Sequence, residues 1–93
     1  MESKGAENFL ELLEQHRDSV VIVDFFMPQC AYCVKFMPEW NRIVDEFKAE
    51  YGEQIQFIKV DGTSDRLTPK RYEVHSFPRF VYIEPGSSGE KFT

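Results

Sequence analysis

The chain is poor in cysteine, has no clustered positive charge and no long apolar run, and each absence removes a class of function. Only two cysteines occur in 93 residues, Cys30 and Cys33. A single close pair cannot be the disulfide framework on which small secreted folds depend. Eleven Lys and Arg stand against 16 Asp and Glu, a formal net charge of −5 with a pI near 5.0. The basic residues are scattered and none is interleaved with aromatics, so no nucleic acid is expected, and an acidic chain has no electrostatic reason to bind an anionic membrane. No apolar run approaches the roughly 20 residues that cross a bilayer. Met1-Glu2-Ser3-Lys4-Gly5 has no apolar leader core, and neither an Asn-X-Ser/Thr acceptor nor a C-terminal retention signal occurs. As it stands the chain reads as cytosolic. Repeats, linkers and low-complexity segments are missing too.

What is there is a core. Hydrophobic residues make up 42% and aromatics 15%, with nine Phe, four Tyr and one Trp. That suffices for one small domain over residues 1–93 and argues against disorder. Phe9, Leu10, Leu12 and Leu13 give residues 6–16 an apolar helical stripe. Residues 20–26 are a continuous β-branched and aromatic run, the pattern of a central strand covered on both faces. A long helix follows over 31–51, with Phe36, Trp40, Ile43, Val44, Phe47 and Tyr51 at helical spacing and Pro38 inside it, where a kink is expected. Gly52 suits its stop. Residues 55–61 read as a second strand, 65–72 as a short helix made irregular by Pro69, 74–78 as a loop and 79–84 as a third strand. Pro85-Gly86-Ser87-Ser88-Gly89 reads as a hairpin turn before a short final strand over 90–93. The order αβαβαββ predicts a layered α/β or α+β domain.

Cys30 falls at a strand-to-helix junction, where the first helical N–H groups lack intrahelical partners and the dipole is positive. Such a place stabilises a thiolate, the species that attacks disulfides. Cys33 falls one turn into the helix, within reach of a short disulfide. The rival reading is an inert disulfide or two ordinary core thiols, but closing a two-residue loop restrains little of the unfolded chain. Asp24 lies near the end of a buried strand, where a carboxylate is costly without a task or partner; otherwise it reaches solvent or caps a backbone group. His16 and His75 do not form zinc-finger spacing with the cysteines, so no metal is expected.

These residues in register resemble the thioredoxin superfamily, and the resemblance covers nearly the whole chain. Asp24 stands six positions before Cys30, Cys30-Ala31-Tyr32-Cys33 occupies the Cys-X-X-Cys position, and Pro38 matches the helix proline five residues further on. Lys59-Val60-Asp61 resembles the strand end of the isomerase branch, and Tyr72-Glu73-Val74-His75-Ser76-Phe77-Pro78 the stretch that ends in the family's cis-proline. The resemblance implies a thioredoxin-like three-layer sandwich with a central mixed four-stranded sheet flanked by helices. It implies a thiol–disulfide oxidoreductase that reduces, forms or isomerises disulfides in proteins. Cys30 would be the nucleophile, Cys33 the resolving thiol and Asp24 the group that takes and returns the Cys33 proton. Gln29, Ala31, Tyr32, Phe77, Pro78 and Arg79 would line the substrate site, with the Phe77–Pro78 bond cis and facing the Cys30 sulfur. Implied partners are protein or peptide disulfides and dithiols, with a redox partner protein or glutathione; the chain would be monomeric and need no organic cofactor. The alternative is a non-catalytic module that holds unfolded or peptide partners.

Three departures from the pattern bear on reactivity. Gln29 replaces the usual Trp and removes apolar surface near the sulfur. Ala31-Tyr32 replaces Gly-Pro or Gly-His, and Tyr32 brings no positive charge. Arg79 replaces Thr, either raising the local potential or lying exposed. Full domains of this kind also carry a strand before the first helix and a helix after the last hairpin. The chain is therefore expected to be a trimmed piece of a larger isomerase-like protein, which would place it in the endoplasmic reticulum lumen, with an apolar patch exposed on the uncovered face of its sheet.

Overall fold

Alternation along one strand sorts the whole core. The computed structural model describes residues 1–86. The central strand β1 (Val20–Phe26) sends Val21, Val23 and Phe25 to one side and Val20, Ile22 and Asp24 to the other. It pairs in parallel with β2 (Ile55–Asp61) and antiparallel with β3 (Arg79–Ile83), in the order β2-β1-β3. On the first side lie α1 (Ala6–Gln15) and the short α3 (Leu67–Arg71). Phe9, Leu13, Tyr72 and Val74 pack there on Val21, Val23, Phe25, Ile58, Val60 and Ile83. The second side is covered by α2 (Ala31–Tyr51), whose Trp40 packs with Ile55 and Phe57 and is joined by Phe36, Met37, Ile43 and Val44. Helices on both faces of a mixed sheet are the expected α/β layering.

Differences from the expected elements have local causes. Helix α2 has the expected bounds, Ala31–Tyr51 with Pro38 inside it, and is followed by a 3₁₀ turn at Gly52–Gln54 that was not expected. Helix α3 is shorter than 65–72. Asp65 stays outside it and accepts from the N–H groups of Leu67 and Thr68 at 3.1 and 3.0 Å, while Pro69 sits in its first turn, where no N–H is needed. Strand β3 ends at Ile83 rather than 84. The chain does not open directly into α1. Glu2 bridges Lys59 in parallel, with Ser3 N–H donating to the Lys59 carbonyl and Lys59 N–H to the Met1 carbonyl, both at 2.9 Å. Among the described residues the sheet has these three strands; the expected fourth, over 90–93, lies outside them, as does the turn beyond Gly86. The expected apolar patch is there. On β3, Phe80 is 43% and Tyr82 54% exposed, on the α2 side of the sheet.

Candidate active site

The turn between β1 and α2 places the two cysteines. Cys30 is the residue just before α2, its backbone extended (φ −81°, ψ 119°), so its side chain turns back over the helix start. Its N–H donates to the Met27 carbonyl at 3.1 Å, and its own carbonyl accepts from Val34 at 3.1 Å. The sulfur takes the role of a capping oxygen: Cys33 N–H donates to Cys30 Sγ at 3.2 Å. On its other side Cys30 Sγ lies 3.6 Å from the Phe77 carbonyl, to which the thiol donates. Both cysteines are free thiols, Cys30 half-buried and Cys33 only 5% exposed.

The two thiols are pushed apart electrostatically. Hydrogen bonding from the Cys33 thiol holds Cys30 below the ordinary thiol value; burial opposes it, and the Cys33 and Tyr32 backbone N–H groups add to it less strongly. Burial pushes Cys33 up to about 11, reinforced by its hydrogen bond to Cys30 and by the charges of Cys30 and Asp24. One thiol is thus tuned to be a thiolate and its neighbour to keep its proton.

Asp24 lies on the same side of the sheet as α2 and is 4% exposed. Its Oδ1 has no hydrogen-bond partner among the described residues. Burial raises its carboxyl to about 6, against the pull of Lys59. Lys59 is its register partner on β2. The ammonium of Lys59 is held 3.1 Å from Met37 Sδ and 4.5 Å from the Phe26 ring centre, so it faces Asp24 as a half-buried counter-charge without closing an ion pair.

The Phe77–Pro78 peptide bond is cis, and the segment before β3 runs beside the sulfur. Two hollows flank Cys30. On one side Tyr32, Phe36 and Pro78 border an almost wholly apolar hollow of about 420 Å³, with Tyr32 itself 74% exposed. On the other, Gln29 and Phe77 border a cleft of about 330 Å³. The structure therefore brings Cys30, Cys33, Asp24, Gln29, Tyr32, Phe77 and Pro78 together, with Ala31 exposed between the cysteines. Arg79 borders neither hollow; it lines a third one with Tyr72 and Glu73.

Two residues of this site carried no functional expectation. Lys59 was marked only as part of a strand end, although a lysine inside an apolar strand is itself a signal. Gly62, which read as a turn residue, is buried against the Phe77 ring. A Cβ built there would lie 2.8 Å from two of its carbons. That contact joins segments 15 positions apart and leaves no trace in local sequence.

The thioredoxin family model matches residues 1–93. Among curated proteins, the chain is 30% identical over 87 residues to protein disulfide-isomerase 1 of Caenorhabditis elegans, covering 87% of this chain and 18% of that protein. It is 30% identical to the protein disulfide-isomerase of Oryctolagus cuniculus, covering 89% and 16%. The chain thus spans less than a fifth of either isomerase. Among solved structures, the thioredoxin of Fasciola hepatica superposes with a TM-score of 0.80 at 25% identity, covering 91% of this chain and 77% of that one. The reduced Schistosoma mansoni thioredoxin pre-protein gives 0.81 at 29%, covering 92% and 76%.

Proposed function

The chain belongs to the thioredoxin family, and on that premise we propose that it is a thiol–disulfide oxidoreductase acting on protein disulfides through Cys30 and Cys33. The observation that carries the reading is the asymmetry of the pair. Cys30 Sγ caps α2, exposed enough to be attacked, while Cys33 waits behind it with its proton retained.

The reaction runs in two displacements. The Cys30 thiolate attacks one sulfur of a substrate disulfide; the other substrate sulfur leaves as a thiolate and takes a proton. In the resulting mixed disulfide Cys30 is neutral, so one of the influences that raises Cys33 is gone. Asp24 accepts the Cys33 proton as the Cys33 sulfur attacks Cys30 Sγ. The second substrate thiolate leaves, and two electrons have passed from the pair to the substrate. In the resting pair burial makes Cys33 hold its proton more tightly than Asp24 does, so the proton is expected to pass to Asp24 as the sulfur–sulfur bond forms. The backbone before Pro78 offers the place for an extended substrate segment, and Tyr32 and Phe36 offer it apolar surface.

Equilibration of the Cys30–Cys33 pair in glutathione buffers tests the proposal. A potential near about −270 mV would mark a thioredoxin-like reductant, and one near about −180 mV an isomerase or oxidase. Cys30→Ser is expected to abolish turnover of a protein disulfide while leaving peptide affinity. A wild-type pair that failed to cycle would leave the binding module as the function.

A further inference from the structure

Charge is unevenly distributed along this acidic chain. Segment 66–79 holds Arg66, Lys70, Arg71 and Arg79 against one acid, Glu73, so the rest of the molecule carries all of the negative excess. Two of these cations reach the active site. Arg66 and Lys70 are one helical turn apart at α3, both exposed, and neither forms an ion pair among the described residues. With His75, also exposed, they border the cleft whose inner wall is Gln29 and Phe77. The hollow on the Tyr32–Pro78 side is mostly apolar, and its charged lining residues Lys35 and Glu39 are of opposite sign. A substrate segment crossing Cys30 would thus meet aromatic surface with balanced charge on one side of the sulfur and an excess of positive charge on the other.

The geometry points to a substrate-selecting cleft: Arg66, Lys70 and His75 bind carboxylate side chains of an extended peptide segment on the Phe77 side of its reactive sulfur. The inference rests on the oxidoreductase reading and narrows its substrates to disulfides flanked by Asp or Glu. A peptide is the occupant because Phe77 borders the cleft and the next residue, Pro78, borders the apolar hollow, so the two lie along one extended segment beside the sulfur. The charges are exposed and share a cleft with Gln29 and Phe77, so they select by complementarity and by steering, and the preference fades with salt.

The test uses matched disulfide peptides with two Glu, two Gln or two Lys next to the cystine, placed before it in one set and after it in another. The ratio of kcat/KM for the Glu to the Gln peptide is expected to be about three to ten in one of the two placements. It should fall to about one in Arg66→Gln/Lys70→Gln, persist in Arg66→Lys/Lys70→Arg, and invert in favour of the Lys peptide in Arg66→Glu/Lys70→Glu. Affinities of the same peptides with serine for cysteine, read by fluorescence anisotropy, should follow the same order. A wild-type ratio of one in both readouts, or a ratio that survives Arg66→Gln/Lys70→Gln, would overturn the inference. So would free glutathione that competes as strongly as the Glu peptide, because the cleft would then be fitted to a small anionic thiol. If no peptide were turned over, the oxidoreductase reading would fail, and the anisotropy series would still decide the charge preference.

Discussion

At the scale of single residues, Asp24 and Gly62 carry consequences that a list of site residues does not. The folded chain holds the Asp24 proton up to about pH 6, whereas the unfolded chain releases it near 3.8. Between those values the folded state binds more protons, so stability falls as pH rises, and the cost is fully present above pH 6. Asp24→Asn is therefore expected to be more stable than wild type by about 2 kcal/mol at pH 8 and no more stable at pH 3, by urea denaturation across pH. The same variant should lose the inflection near pH 6 in the rate at which a mixed disulfide on Cys30 is resolved. A stability difference that grows on acidification would mean that Asp24 is ionised and favourably paired in the fold. Gly62→Ala places a methyl group against the Phe77 ring and should cost about 1–3 kcal/mol, largely recovered by Phe77→Leu in the double mutant. Full additivity of the two changes would show that the contact is not made.

At the scale of elements, the apolar runs were legible and the short basic helix was not. Val20–Phe26 and Ile55–Asp61 were readable because a strand covered on both faces has to be apolar throughout. Helix α2 was readable from its spacing, since one stripe meets the sheet. Segment 65–72 misled because propensity cannot show that Asp65 holds the helix start from outside. The cations of α3 looked scattered along the sequence, and only the return of the chain from β2 across the sheet to β3 sets Arg66 and Lys70 beside Gln29 and Phe77. Asp65→Ala is expected to lower stability by about 1 kcal/mol and to speed amide exchange in α3 more than in α2. Equal acceleration in both helices would indicate a global rather than a local loosening. Cys30, Cys33 and Asp24 could be singled out because their spacing is fixed along one continuous path, and Pro78 only through the resemblance of the stretch that ends in it. The partners that arrive through strand pairing, Lys59 to Asp24 and Gly62 to Phe77, have no fixed spacing and could not be.

At the scale of the whole molecule, the three strands among the described residues run in the order β2-β1-β3, with β2 at one side of the sheet. Its outward backbone groups at Lys59 are taken by Met1 and Ser3, through two hydrogen bonds of 2.9 Å. This short strap occupies the groups to which an incoming strand would add. Ser3→Pro deletes the donor to the Lys59 carbonyl. It is expected to cost about 1 kcal/mol and to increase light scattering with protein concentration, whereas scattering equal to wild type would show that the edge is guarded by other means. Residues 1–3 thus cover this part of the β2 edge, and the residue they fasten is the one whose ammonium faces Asp24. Self-assembly and redox tuning are tied to the same backbone position, so a change that frays the strap should be felt at the thiols as well as in the test tube.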